Sequence, residues 1–171
     1  FKKINAVLNS IDRLEVRGRD SAGISLMFVL NKAEFNKFIK SLKQANVHNQ
    51  IDERCSRGTL VNREITVHQH PKAGNNEKTA IAMTYKIANE IGSLGDNVQY
   101  LRQQIADDTI LQILAARESE FDTVSAHTRW ASVGAITEVN CYPVDNQTVE
   151  NTSQNNPIIH ACLNGDIDNY Q

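Results

Sequence analysis

The sequence lacks any apolar run that approaches the roughly 20 residues needed to cross a bilayer as a helix. Its opening, FKKINAVLNS, also lacks the long apolar stretch and the small-residue cleavage site of a secretory signal. These two absences argue against a membrane protein and against a secreted one. We therefore expect a cytoplasmic protein with no membrane partner.

Cysteine is scarce, and its positions, Cys55, Cys141 and Cys162, show no C-x-x-C spacing. This argues against a disulfide framework and against a zinc knuckle, and it predicts reduced thiols. His68 and His70 would face one way on a strand, but two histidines lack the third ligand and the acidic partner of a zinc site. We expect neither a metal nor another cofactor.

A strong excess of one charge is also missing, because 18 Lys and Arg residues stand against 20 Asp and Glu residues, for a net charge of -2. Nothing in this balance indicates a nucleic-acid partner, which would favour a basic surface. The 171 residues, 40% of them hydrophobic, suffice for one globular domain with a core. We see no internal repeat.

Apolar periodicity predicts the elements of the first part of the chain. Residues 2–14 carry apolar side chains at three- and four-residue intervals, which is typical of a helix with one buried face. The near-continuous apolar run 24–30 indicates a buried strand. A short amphipathic helix is predicted for 34–44, and alternation favours a strand at 59–69.

Helix-forming residues dominate the next part of the chain. Segments 77–91 and 96–117 are rich in Ala, Leu, Gln, Ile and Lys and predict two helices, separated by the glycine-containing turn 92–95. Beyond them the pattern returns to strands at 123–127 and 157–163, and the second of these is followed by an Asn-Gly turn signal.

Three short polar segments lie where a predicted strand meets a loop: 17–23 (RGRDSAG), 127–134 (HTRWASVG) and 163–170 (LNGDIDNY). Such positions often hold ligands. Taken alone, each segment also fits a purely structural role, as a salt-linked turn, a stacked Arg-Trp pair and a β-turn before a helix. The residues by themselves leave both interpretations open.

Together, RLEVRGRDSAG, HTRWASVG followed by ITEVNCYP, and NGDIDNY closely resemble the glutaminase domain of class II glutamine amidotransferases, in particular the glutamine:fructose-6-phosphate amidotransferase family. Roughly a third of the chain carries the resemblance. It implies an α/β (α+β) fold, the four-layer αββα sandwich of amino-terminal nucleophile hydrolases, incomplete at both ends. Residues 1–171 would be a partial amidotransferase domain, enlarged by a mostly helical insertion at 31–120.

The resemblance also implies a function. In that family an amino-terminal cysteine attacks the side-chain amide of glutamine, and glutamate and ammonia are released. The ammonia would aminate fructose 6-phosphate on a sugar-phosphate isomerase domain downstream, in a homo-oligomer. Two alternatives stay open: a non-catalytic glutamine-binding or assembly module, and an amidotransferase with a different acceptor.

Carried over position by position, the resemblance gives roles to individual residues. Arg129 would clamp the α-carboxylate of glutamine, as suits a planar guanidinium. Asn164 and Gly165 would donate to the oxyanion of the reacting amide. The remaining implied site residues are Arg17 and Gly18 beside the nucleophile, Trp130 at the exit for ammonia, and Ser132 and Val133 along the glutamine pocket.

The sequence departs from the family pattern at several of these positions. Val133 and Leu163 each replace a histidine, so the hydrogen bonds around the pocket must differ. The amino-terminal cysteine of the family is absent from these residues, which begin at Phe1 in the predicted first helix. We therefore expect the parent protein to be the enzyme and the present chain to be inactive by itself.

Overall fold

The structure is a computed structural model that describes residues 1–55, 59–70, 77–88, 93–131, 134–146 and 157–165, with Arg17 and His70 described by their backbone alone. Along the chain the elements are α1 (Lys2–Leu14), a 3-10 turn (Glu15–Arg17), β1 (Ser21–Asn31), α2 (Lys32–Gln44), α3 (His48–Cys55), β2 (Ile65–His70), β3 (Lys78–Ala88), α4 (Asp96–Ala106), α5 (Thr109–Ala115), β4 (Phe121–Arg129), β5 (Val144–Asp145) and β6 (His160–Ala161).

Four strands form one antiparallel sheet in the order β2-β3-β1-β4, and β5 pairs with β6 in a separate two-stranded ribbon. β1 is the central strand. It pairs with β3 from Ser21↔Ala88 to Asn31↔Lys78. On its other side it pairs with β4 from Ser21↔Arg129 to Val29↔Phe121. A single long strand therefore fixes the register of its two neighbours.

The two faces of the sheet differ in chemistry because side chains alternate along each strand. From β1, Ala22, Ile24, Leu26 and Leu30 are completely buried in the apolar core. Helices α1, α2 and α4 pack against this apolar face, and α5 packs on α2. The opposite face is polar, and by register it carries Ser21, Ser25, Thr84, Lys86, Ser125, His127 and Arg129.

Local sequence explains where several helices begin. The side chain of Asn31 accepts a hydrogen bond from the backbone N–H of Glu34 and caps α2. Asp108 caps α5 by accepting from the N–H groups of Ile110 and Leu111. α4 follows Gly95, whose φ of 95° is a left-handed conformation that suits glycine.

Asp108 also anchors a buried polar network. Its Oδ2 lies 2.8 Å from Arg54 Nη1 of α3 and accepts a hydrogen bond of 2.9 Å from the hydroxyl of Tyr85 in β3. Only 1% of Asp108 and 5% of Arg54 are exposed. One carboxylate thus ties α3, β3 and α5 together in the interior.

The predicted secondary structure was right in the first part of the chain and wrong in the middle. The predictions at 2–14, 24–30 and 34–44 are confirmed by α1, β1 and α2. The helix predicted at 77–91 is wrong, because β3 occupies Lys78–Ala88. The helix predicted at 96–117 is instead two helices separated at Asp107 and Asp108, and α3 was not predicted.

The predicted fold class was also wrong. The described residues form a mixed α+β structure with one four-stranded antiparallel sheet, and not a four-layer αββα sandwich. The segment 31–120, predicted as a mostly helical insertion, supplies β2 and β3, which are two of the four strands of the sheet. Among the described residues, no helix is long and apolar enough to span a membrane.

Candidate ligand site at the end of strand β4

Two of the three polar segments singled out in the sequence meet at the end of β4. The backbone N–H of Asp20 donates to the carbonyl of Arg129 at 3.1 Å. The Asp20 carboxylate in turn accepts a hydrogen bond of 2.6 Å from the N–H of Ala131. The turn before β1 and the turn after β4 are therefore fastened to each other by both main chain and side chain.

Gly18 explains why the first segment can approach β4 so closely. A Cβ at this position would lie 2.9 Å from the carbonyl carbon of Thr128 and 3.0 Å from the backbone nitrogen of Arg129. Real Cβ atoms essentially never approach a backbone so closely, so any other residue would push the two segments apart. Gly18, which was predicted to lie beside the nucleophile, thus lies against the backbone of β4.

Arg129 is the last residue of β4, on the polar face of the sheet. Its Nη1 donates to the carbonyl of Ala135 at 3.4 Å, so the chain after β4 folds back over the guanidinium group. Gly134 makes this return possible with a φ of 89°, and a Cβ there would lie 3.6 Å from Arg129 Nη2. The next residue, Trp130, is 69% exposed.

His127 lies on the same face of β4, two residues before Arg129. Its Nδ1 is buried and has no hydrogen-bond partner among the described residues. The His127 and Tyr142 rings pack edge to face, with centroids 5.0 Å apart and planes at 69°. Burial, and then the positive charge of Arg129, lower the pKa of His127. The imidazole is therefore neutral at neutral pH and can still form a hydrogen bond.

A buried lysine and a buried cysteine lie beneath this site. Lys86 is completely buried, and its Nζ donates to the carbonyls of Leu60 at 2.6 Å and Glu138 at 3.1 Å. The Cys141 thiol donates to the carbonyl of Ala22 at 3.2 Å, and burial raises its pKa. A thiol that is 1% exposed and protonated is not an available nucleophile. Both groups fasten the segment 134–146 to the sheet.

The β5–β6 ribbon is attached to the same polar face. His160 Nδ1 lies 2.6 Å from the hydroxyl of Ser25 in the central strand. Just before β5, the carbonyl oxygen of Tyr142 lies against Gly23 of β1. A Cβ at position 23 would be only 2.0 Å from that oxygen. Sequence analysis missed these contacts. The sequence held one signal of them: Ser21 and Ser25 alternate with the apolar residues of β1, so their hydroxyl groups lie on the face opposite to the core.

The third predicted segment follows the β5–β6 ribbon, which lies on the polar face of the sheet. Asn164 and Gly165 are both exposed, and a Cβ on Gly165 would meet nothing within 4 Å. The predicted pocket residues Ser132 and Val133 lie outside the described residues, as do 166–170, and the side chain of Arg17 is not described. Of the implied site, the structure thus assembles Gly18, Arg129 and Trp130. No group of three potential metal ligands occurs among the described residues.

Comparison with known proteins finds no matching family model and no matching curated protein. One solved structure that the comparison matches is a dimeric ferredoxin-like protein from an uncultured marine organism. It shares 14% identity with this chain, covers 66% of this chain and 97% of its own, and superposes with a TM-score of 0.28. The assignment to class II glutamine amidotransferases is therefore wrong: no family model supports it, and the sheet is not that of the expected sandwich.

Proposed function

We propose that this chain is a glutamine-binding module, with its ligand site at the end of β4. The proposal rests on the position of Arg129 and His127, which lie two residues apart on the polar face of β4. Arg129 offers a planar cation for the α-carboxylate of an amino acid. His127 offers a neutral, partly buried imidazole ring beside the position of the uncharged side-chain amide.

The spacing of these two residues suits glutamine. Residues two apart on a strand are separated by about 6.6 Å and project to the same side. The four C–C bonds between the carboxylate and the amide carbon of glutamine span about 5 Å when extended. The two ends of the ligand can therefore reach both side chains, and Asp20 in the adjoining turn supplies a carboxylate for the α-ammonium group.

Binding without turnover is the form that the described residues favour. Cys141 is buried and protonated, and Ser25 is 3% exposed and hydrogen-bonded to His160. Neither can reach a ligand at Arg129. An amidotransferase that releases ammonia would need a nucleophile from elsewhere, so hydrolysis of glutamine is measured as a separate outcome of the test.

Titration calorimetry with L-glutamine tests the proposal. We expect wild-type protein to bind glutamine, and Arg129→Gln to weaken binding about 10- to 100-fold, because a hydrogen-bonded charge pair contributes about 1.5–3 kcal/mol. Arg13→Gln is the matched control, since Arg13 is an exposed arginine at the end of α1. No binding at millimolar glutamine, or equal affinity of both variants, would exclude the site. Appearance of glutamate would instead indicate catalysis.

A further inference from the structure

We propose that Asn140 is a positioning residue for the ligand site, and that it holds the Arg129 guanidinium in place through the carbonyl of Ala135. Asn140 Nδ2 donates to the Ala135 carbonyl oxygen at 3.1 Å, and Arg129 Nη1 donates to the same oxygen at 3.4 Å. One oxygen atom thus links the asparagine to the arginine. This role rests on the proposed function, because it concerns how Arg129 meets the α-carboxylate of glutamine.

The hydrogen bond from Asn140 closes a short loop after β4. Asn140 and Ala135 lie five residues apart in the chain, and both are exposed. Inside the same loop, the backbone N–H of Asn140 donates to the hydroxyl of Thr137 at 3.4 Å. A carbonyl in an exposed loop can turn in several directions unless a donor holds it. The Asn140 amide supplies that donor, and it therefore fixes where the Ala135 oxygen points.

The far end of this loop is fastened to the sheet. Cys141, the residue after Asn140, is 1% exposed, and its thiol donates to the carbonyl of Ala22 at 3.2 Å. Its backbone N–H donates to the carbonyl of Glu138 at 3.3 Å, and the same oxygen accepts from the buried Lys86 at 3.1 Å. Asn140 directly precedes this anchored residue, so its backbone is fixed relative to the strands that carry the ligand site.

The loop meets the Arg129 guanidinium at both of its terminal nitrogens. Nη1 donates to the Ala135 carbonyl, and a Cβ on Gly134 would lie 3.6 Å from Nη2, so the main chain passes beside it. An arginine side chain is costly to order, because several rotatable bonds lose their freedom. Contacts that order Arg129 before the ligand arrives reduce this cost and raise the affinity for a carboxylate.

The role of Asn140 requires an N–H donor on a short side chain. Alanine at this position removes the donor, whereas glutamine keeps the same amide group on a side chain that is longer by one methylene group. Because position 140 is exposed, neither substitution disturbs the core. The two variants therefore separate the hydrogen bond from a general effect of changing the residue.

Titration with L-glutamine compares these variants. We expect Asn140→Ala to weaken glutamine binding by roughly 3- to 10-fold, as the loss of one hydrogen bond would, and Asn140→Gln to bind within about 2-fold of the wild type. Asn9→Ala is the matched control and should bind like the wild type, because Asn9 is an exposed asparagine bonded to another arginine, Arg102, on the opposite face of the sheet. In the Arg129→Gln background, Asn140→Ala should cause no further loss. An additional loss there would indicate direct contact with the ligand and would overturn the positioning role.

A second measurement needs no ligand. In nitrogen-15 NMR spectra, the Nε–H signal of Arg129, assigned by its loss in Arg129→Gln, should shift in Asn140→Ala and keep its position in Asn9→Ala. An unchanged signal in Asn140→Ala would overturn the role of Asn140. If the wild-type chain binds no glutamine, the proposed function fails and this role fails with it. If the wild type and Asn140→Ala bind glutamine equally well, the role of Asn140 alone fails.

Discussion

The hydroxyl of Ser25 and Nδ1 of His160 lie 2.6 Å apart, and this contact joins residues separated by 135 positions in the chain. It connects the middle of the central strand to the short β5–β6 ribbon. The ribbon thereby covers part of the polar face of the sheet. The contact also predicts how stability depends on pH.

We expect the free energy of unfolding to fall as the pH is lowered from about 6.5 toward 4. Burial, and then the positive charge of Lys86, lower the pKa of His160 from 6.5 to about 4. The unfolded chain therefore binds the proton more readily than the folded chain, and acid favours unfolding throughout this range. The loss should be on the order of 2–3 kcal/mol. Urea unfolding at pH 7.5, 5.5 and 4.5 measures it.

His160→Gln should flatten this pH dependence, and Ser25→Ala should not, because alanine removes the hydrogen bond and leaves the imidazole buried. The free energy of unfolding of His160→Gln should still fall somewhat toward acid pH, because burial also lowers the pKa of His127. A pH profile identical to that of the wild type in His160→Gln would contradict the assignment.

Gly23→Ala should destabilise the fold by about 1–3 kcal/mol, in the range of overpacked sites. The added methyl group would lie 2.0 Å from the carbonyl oxygen of Tyr142, so the segment 134–146 must move away from the sheet. Urea unfolding measures the loss, and the Tyr142 signal in an NMR spectrum should shift. Thr123→Ala, on the same face of the sheet, is the control and should change stability by less. Equal stability of both variants would show that the segment is not held there.

Asp108→Ala should cost about 3–5 kcal/mol, because it leaves Arg54 as a buried charge without its carboxylate and removes the cap of α5. Tyr85→Phe should cost only about 1 kcal/mol, since it removes one hydrogen bond to the same carboxylate. Denaturant unfolding of the two variants gives the comparison. If Asp108→Ala were no worse than Tyr85→Phe, the network would not be a main support of the interior.

Glu15→Gln should stabilise the protein at pH 7. Glu15 is 1% exposed, and burial raises its pKa while its Oε2 finds no hydrogen-bond partner among the described residues. Ionising this carboxyl therefore costs more in the folded chain, and stability is lost as the pH rises above about 4.5. Glutamine keeps the acceptor for the N–H of Asn97. Thermal melts at pH 4 and pH 7 should show a gain only at pH 7.

Elements with a strong local signal could be predicted from the sequence. The helix at 2–14 has apolar residues on one face, and Ile4, Leu8 and Ile11 are indeed buried. The helix predicted at 77–91 was wrong because the local signal there did not decide the structure. Its alanines and lysines favour a helix locally, yet β3 pairs with the central strand along all 11 of its residues. That pairing outweighs a propensity worth a few tenths of a kcal/mol per residue.

The resemblance was misleading because it rested on short polar segments. Glycines and charges near strand ends recur in many folds, where they serve turns and close backbone approaches. Gly18 is an example, because glycine is required there by the close approach of the backbone of Thr128. Two of the three segments nonetheless meet in the structure, at Asp20 and Arg129.

Neighbouring residues specify the amphipathic helices and the central strand, and composition alone specifies the lack of a strong net charge, so these features could be read from the sequence. The tertiary structure alone decided that 78–88 is a strand, that Lys86 is buried, and that His160 meets Ser25. These outcomes depend on contacts between residues far apart in the chain. No local pattern specifies such contacts, because burial and strand pairing are settled only when the whole sheet has formed.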